Sequence, residues 1–147
     1  MNNKKQSLDL FTMIAILYCL GFGSYTLWRG LYWVVKSEVA AHESALYATL
    51  NNVFNLSIWG IPFTLSGILI ILSSINLPYY KTKRVFHATF ITGHVIAMAF
   101  YYIFTLASFE KAVNLLIPAQ SLTLAVLSGA MAFVGGVDVW LQKTKMK

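Results

Sequence analysis

The chain has 147 residues, of which 58% are apolar and 11% charged, and its mean hydropathy is +0.66. A soluble domain has about 25% charged residues, so this composition leaves too little polar surface to cover a protein in water. The net charge of +6 does not indicate nucleic-acid binding, because the Lys and Arg residues are dispersed at the ends of apolar runs. The composition predicts an integral membrane protein whose partners include membrane lipids and do not include nucleic acid.

Four runs without Asp, Glu, Lys or Arg predict the membrane spans, at about residues 10–28, 56–75, 85–109 and 112–137. The first run would extend about 28 Å as a helix, close to a hydrocarbon thickness of about 30 Å. Its start resembles a secretory signal peptide, but no small-x-small cleavage site follows it, so a retained span is expected.

The long connection at residues 30–55 is predicted to be amphipathic helix, because its apolar residues recur at helical spacing. Leu31, Val34, Val35 and Val39 form one such stripe, and a second follows later in the connection. Two interpretations stay open. The connection extends the first two spans as helices packed on each other, or it lies as a separate helix on the membrane surface.

A basic loop, Tyr79–Arg84, separates the second and third spans, and Pro78 is expected to end the second span before it. Glu110 and Lys111 are expected to form a tight turn between the third and fourth spans. The basic residues are then divided unequally between the two sides. Eight lie on the side of this loop and three on the other: Lys4, Lys5, Lys81, Lys83, Arg84, Lys143, Lys145 and Lys147 against Arg29, Lys36 and Lys111.

Because Lys and Arg accumulate on the cytoplasmic side of a membrane, this distribution predicts that both termini are cytoplasmic. An even number of spans requires that both termini lie on the same side of the membrane, which agrees with this prediction. We therefore expect one all-α transmembrane domain over residues 1–147, a four-helix bundle made of two helical hairpins in the cytoplasmic membrane.

Small residues form two rows along the fourth span at intervals of four. Such rows let helix backbones approach closely, and packing drives helix association in lipid. They are expected to pack the fourth span within its own bundle or to form an interface between copies of the chain, and these alternatives stay open. The rows are Ser121, Ala125 and Gly129, and Ser128, Ala132 and Gly136.

His94 is the candidate functional polar residue, because it lies near mid-membrane in the third span, about 14 Å along the helix from its start. The favoured interpretation is a neutral imidazole hydrogen-bonded to Ser66, Thr64 or a tyrosine. A proton relay and haem ligation are the alternatives. His87 is expected at the membrane interface, and Asp138 is expected in a salt bridge or in solvent.

No catalytic, metal or nucleotide motif is present, so the sequence predicts a protein that is not an enzyme and has no cofactor or metal. Cys19 is the single cysteine, which excludes a disulfide within the chain.

Several short segments resemble small multi-span proteins of phages of Gram-positive bacteria, some of them holin-like. They are Leu46-Tyr47, Trp59-Gly60, Ser66-Gly67-Ile68-Leu69-Ile70, and Gly135-Gly136-Val137-Asp138-Val139-Trp140 followed by Lys143. The resemblance implies a non-enzymatic protein that accumulates in the cytoplasmic membrane, forms homo-oligomers and opens lesions that release a lytic enzyme. The alternatives are an accessory subunit or anchor of a larger membrane complex, and a haem- or proton-handling subunit that uses His94.

Overall fold

The computed structural model describes residues 9–79, 83–111 and 115–145. All regular structure within these ranges is α-helical, and the six helices are α1 Leu10–Val35, α2 Ser37–Glu43, α3 Ala45–Val53, α4 Leu56–Asn76, α5 Lys83–Lys111 and α6 Leu116–Lys145. Four of them, α1, α4, α5 and α6, are long and apolar enough to cross a membrane. The predicted all-helical class is confirmed, and the four apolar helices indicate a membrane protein.

The long helices extend beyond the apolar runs that predicted them. Helix α1 continues past Trp28 to Val35, and α6 continues to Lys145. Helix α5 includes Glu110 and Lys111, so the turn predicted there is wrong and the chain leaves the helix after Lys111. Of the basic loop, Tyr80–Thr82 lie outside the described residues, as do Lys4, Lys5 and Lys147.

Helix α4 begins with a side-chain cap and ends close to a proline. The Asn55 side chain accepts a hydrogen bond from the backbone N–H of Ser57 at 2.9 Å, which satisfies one of the free donors at the helix start. The helix continues through Pro62 and ends at Asn76, two residues before Pro78. Pro78 has no backbone N–H to donate to a further helical hydrogen bond, which favours an end at this place.

The connection between α1 and α4 is helical, as its apolar spacing predicts, and it has two parts. Its first residues extend α1, and the rest forms the short helices α2 and α3, which break at Ser44. Buried side chains hold these helices against the long ones, among them Leu46 and Leu50. The Trp59 indole N–H of α4 also donates to the Leu50 carbonyl at 3.1 Å. The short helices α2 and α3 therefore pack over the end of the molecule where α1 ends and α4 begins.

Helices α1 and α4 approach each other more closely than side chains would allow. Glycines occur seven residues apart on each helix, Gly23 and Gly30 on α1, Gly60 and Gly67 on α4. A Cβ atom at Gly60 would lie 2.6 Å from the Gly30 carbonyl oxygen, and one at Gly67 would lie 2.7 Å from that of Gly23. The two helices thus cross backbone against backbone, as small residues permit in lipid.

An aromatic cluster lies where α1, α3, α4 and α5 meet. Trp33 is 2% exposed and lies within this cluster. Its ring packs within 5.5 Å, centroid to centroid, of the rings of Tyr47, Phe63 and Phe104. Trp28, by contrast, is 72% exposed. The cluster joins the connection to the long helices by edge-to-face contacts, an arrangement that aromatic rings favour.

Helices α4 and α5 lie at the centre of the packing, and α1 and α6 lie outside them. In the most apolar stretch of each helix, 39% of residues are buried in α4 and α5 but 22% in α1 and α6. Helix α6 packs principally along α5, through a stripe of small side chains that includes Ser121, Ala125 and Ser128. Helix α1 packs along α4 and also reaches α5 by contacts of its polar and aromatic residues.

Candidate functional site

A line of polar side chains runs along one face of α5. His87, His94, Tyr101 and Ser108 are each separated by seven residues, and none is more than 6% exposed. Seven residues are nearly two helical turns, so these side chains lie on one face at intervals of about 10.5 Å. Of these four residues, we identified only the two histidines as notable polar residues from the sequence. The same spacing would have identified Tyr101 and Ser108.

His94 is fully buried in a box of aromatic rings contributed by α1 and α5. Its ring lies 4.6 Å from Phe90 in an edge contact and 5.4 Å from Phe22, centroid to centroid. The Tyr18 ring lies 5.9 Å away and is nearly parallel to the imidazole, with an angle of 16° between the planes. The imidazole is thus held between helices α1 and α5.

The hydrogen bonds expected for His94 are not formed. Neither ring nitrogen has a partner, and the buried Tyr18 hydroxyl has none either. The Ser66 hydroxyl donates to the Gly93 carbonyl at 2.8 Å, and that of Thr64 donates to the Gly60 carbonyl at 2.9 Å. The prediction was wrong because both hydroxyls are already engaged. Thr64 bonds to a carbonyl of its own helix, and Ser66 bonds across to a carbonyl of α5.

The next polar position along the line joins α1 and α5 directly. The Thr26 and Tyr101 hydroxyls lie 3.2 Å apart in a buried hydrogen bond. The Arg29 guanidinium lies over the Tyr101 ring at 5.4 Å and over the Phe104 ring at 5.0 Å. Aromatic faces stabilise a cation in such positions. The Arg29 guanidinium is therefore packed against aromatic rings.

His87 joins α5 to α6 near the basic ends of both helices. Its Nδ1 lies 2.7 Å from the Lys83 carbonyl oxygen, and its Nε2 lies 2.7 Å from an Asp138 carboxylate oxygen. The Gln142 amide N–H donates to the same carboxylate oxygen at 2.7 Å. His87 is 6% exposed, so its side chain is packed within the protein, and the salt-bridge contact predicted for Asp138 is formed with His87.

The geometry at His87 requires two protons on the pair. A carbonyl oxygen only accepts hydrogen bonds, so Nδ1 must donate to Lys83. At 2.7 Å from Asp138, Nε2 also needs a proton between the two atoms. The pair is therefore an imidazolium facing a carboxylate, or a neutral imidazole facing a protonated carboxyl. Removal of one proton would leave two lone pairs facing each other.

The described residues do not provide a haem site at His94. A second axial imidazole would be needed, and His87 has both nitrogens engaged and lies on the same helix. His42 belongs to α2, in the connection. Within residues 9–79, 83–111 and 115–145, no three His, Cys, Asp or Glu side chains lie close enough together to bind a metal ion. The donors present do not fit bis-His haem ligation.

The small residues of α6 are placed in different surroundings. Ser121, Ala125 and Ser128 are buried, and a Cβ atom at Gly129 would lie 2.9 Å from the Met98 sulfur of α5. Gly136 is exposed, and a Cβ atom there would meet nothing within 4 Å. Ser121, Ala125, Ser128 and Gly129 thus lie on the packed side of α6, and Gly136 lies on its open surface.

No family model matches the chain, and no curated protein or solved structure is significantly similar to it. What the protein does is therefore inferred from its own residues and contacts.

Proposed function

We propose that the chain is a non-enzymatic, holin-like protein that self-associates in the cytoplasmic membrane and permeabilises it. In this proposal the long helices form a four-helix bundle of two hairpins, α1 with α4 and α5 with α6. Both termini face the cytoplasm, and the partners are membrane lipids and further copies of the chain.

The orientation is supported by the charges at one end of the helices. The His87–Asp138 pair brings the start of α5 beside the end of α6. Lys83, Arg84, Lys143 and Lys145 therefore lie at the same end, and Lys and Arg accumulate on the cytoplasmic side. Helix α1 runs parallel to α5, since Tyr18 lies beside His94 and Thr26 beside Tyr101. The described chain thus begins and finishes at this basic end.

Fusions at the carboxyl end test this orientation. A fluorescent protein that matures only in the cytoplasm should be active there, and an alkaline phosphatase that folds only outside should be inactive. The reverse pattern would contradict the proposed topology.

Self-association is supported chiefly by the peripheral position of α6. This helix packs principally along α5, and the rest of its surface exposes large apolar side chains, among them Val126, Phe133 and Val134. Gly136 lies on the open surface and allows close approach of another backbone. Small residues beside an apolar face are the pattern through which helices associate in lipid.

The experiment compares two open glycines during controlled expression in bacteria. Gly136→Leu places a bulky side chain on the open surface of α6, and Gly21→Leu does the same on α1, where a Cβ atom also meets nothing within 4 Å. Neither substitution clashes within the chain at its Cβ position. We expect the wild type to stop growth, collapse the membrane potential and give large cross-linked oligomers. Gly136→Leu should reduce all three effects, and Gly21→Leu should leave them unchanged.

Harmless expression of a wild-type protein that stays monomeric would overturn the proposal. Co-purification of another membrane protein in a fixed ratio, again without toxicity, would favour the accessory-subunit alternative instead.

A further inference from the structure

We propose that Tyr18 and His94 form a binding site for internal water between α1 and α5, in the middle of the apolar spans. This site goes beyond the proposed self-association and does not depend on it, because both residues lie within one chain. Its ligand class is a water-sized molecule that can both donate and accept hydrogen bonds.

The first argument is the number of buried polar atoms that lack partners. The Nδ1 and Nε2 atoms of His94 and the hydroxyl of Tyr18 are all buried without a hydrogen bond. Buried polar groups are nearly always paired, because an unpaired one has lost its hydrogen bonds to water without a replacement. Ordered water is the usual partner where protein groups do not reach. Three such atoms on two neighbouring residues therefore point to a shared ligand.

The second argument is the relative orientation of the two rings. Hydrogen bonds of an imidazole and of a phenol hydroxyl lie near the planes of their rings. The rings of Tyr18 and His94 are stacked, with 5.9 Å between centroids and 16° between planes. Each ring therefore directs its polar atoms along its own plane rather than across the stack. A water molecule at the edge of the stack could bond to both residues, since water donates and accepts.

The third argument is the surroundings of the site. His94 is fully buried, and Phe22 and Phe90 beside it are 8% and 7% exposed. These aromatic rings provide no hydrogen-bonding atoms, so Tyr18 and His94 supply the polar contacts of the ligand. Water-mediated bonds are enthalpically nearly as favourable as direct ones.

Water in this position would be the counterpart of a direct bond farther along the same two helices. The Thr26 and Tyr101 hydroxyls meet at 3.2 Å, seven residues beyond His94 on α5 and eight beyond Tyr18 on α1. At the position of His94 the aromatic stack keeps the polar atoms from meeting. The two helices would thus be joined by one direct and one water-mediated polar contact.

Solid-state magnetic resonance of the full chain in lipid nanodiscs, with histidines labelled by ¹⁵N, tests the site with ordinary water as the probe. The sequence has three histidines, and single substitutions by Gln assign their signals. We expect a cross-peak between water protons and a His94 ring nitrogen. Tyr18→Phe, which keeps the ring and removes the hydroxyl, should abolish or strongly weaken it. Tyr102→Phe, at an exposed tyrosine of α5, is the matched control and should leave it intact.

His87 supplies an internal measure of folding, because its signal depends on the contact with Asp138 between α5 and α6. A Tyr18→Phe protein with an unchanged His87 signal is folded and its result stands. If that signal is lost, Tyr18→Leu, which also lacks a hydrogen-bonding group, is used in its place. Non-hydrogen-bonded His94 nitrogens in the wild type, or hydrogen-bonded nitrogens without a water cross-peak, would overturn the proposal. A water cross-peak that persists in folded Tyr18→Phe would also overturn it.

Discussion

The two antiparallel helix pairs are held together by different contacts. Between α1 and α4, paired glycines bring the two backbones into direct contact, so that Gly30 lies against the Gly60 carbonyl and the Thr64 backbone. Between α5 and α6, small residues of one helix pack against long side chains of the other. Gly129 lies against Met98, and Gly135 lies against Phe90 and Ile91. The His87–Asp138 contact lies at one end of that interface.

This difference determines how each helix pair tolerates an added side-chain atom at its interface. Backbone atoms cannot move aside without displacing a whole helix, because helices pack rigidly. A methionine or isoleucine side chain can change rotamer, and methionine is the most adaptable of the apolar residues. The α1–α4 contact is therefore intolerant of added atoms, whereas the α5–α6 contact can adjust. Helix α6 is the long helix best placed to change its position.

The largest effect is expected for Gly30→Ala. The added methyl group would overlap the Thr64 backbone N–H and would lie 2.7 Å from the Gly60 carbonyl oxygen. Overpacking commonly destabilises a protein by about 1–3 kcal/mol, and contact with backbone places this substitution at the upper end. Reversible unfolding by a denaturing detergent in mixed micelles measures the change.

The matched control for that substitution is Gly21→Ala on the same helix. A Cβ atom at Gly21 meets nothing within 4 Å, so only the intrinsic helix preference changes. Alanine is favoured over glycine within a helix by about 1 kcal/mol. The control should be neutral or slightly stabilising. Equal destabilisation by the two substitutions would mean that the glycine pairs do not fix this crossing.

A smaller effect is expected at the His87–Asp138 pair. The His87 Nε2 and the Gln142 amide nitrogen both lie 2.7 Å from one Asp138 carboxylate oxygen, so loss of that carboxylate should weaken this end of the α5–α6 contact. The Asp138 side chain is 53% exposed, so we expect the pair to contribute about 1 kcal/mol or less. The groups around it are Lys83 on α5 and Gln142 on α6.

Amide hydrogen exchange of α6 measures this contribution. Protection of the carboxyl-terminal part of α6 should be lower in Asp138→Asn than in the wild type. Lys145→Gln, which removes a charge from the same end without touching the pair, is the control and should leave protection unchanged. Equal protection in the wild type and in Asp138→Asn would contradict the assignment.

The spans could be predicted from the sequence because hydropathy is a local property. Charge-free runs of sufficient length identified α1, α4, α5 and α6, and the proline at position 78 marked the end of α4. The prediction was less successful at helix ends. Glu110 and Lys111 are polar and so were placed in a turn, but a helix that emerges from the membrane can continue with polar residues.

The polar contacts were harder to predict because they depend on the relative rotation of helices that are distant in sequence. His94 was identified from its depth alone, yet its surroundings are aromatic rings from α1 and α5 rather than the serine and threonine of α4. The pairing of His87 with Asp138 spans 51 residues and was also missed. The equal spacing of Gly23 and Gly30 with Gly60 and Gly67 was visible in the sequence and would have predicted the α1–α4 crossing.

The smallest effect is expected for Gly129→Ala, which makes the same chemical change as Gly30→Ala in the other helix pair. Its Cβ atom would lie 2.9 Å from the Met98 sulfur but 3.5 Å or more from every other neighbouring side-chain or backbone atom of α5. The sulfur lies near the end of a flexible side chain, so a rotamer change can relieve the contact. The gain in helix preference opposes the remaining strain, and we expect a change within about 0.5 kcal/mol. Unfolding under the conditions used for Gly30→Ala measures it, and Met98→Ala in the same background should remove any residual strain. A loss as large as that of Gly30→Ala would show that α6 is held as rigidly on α5 as α1 is on α4.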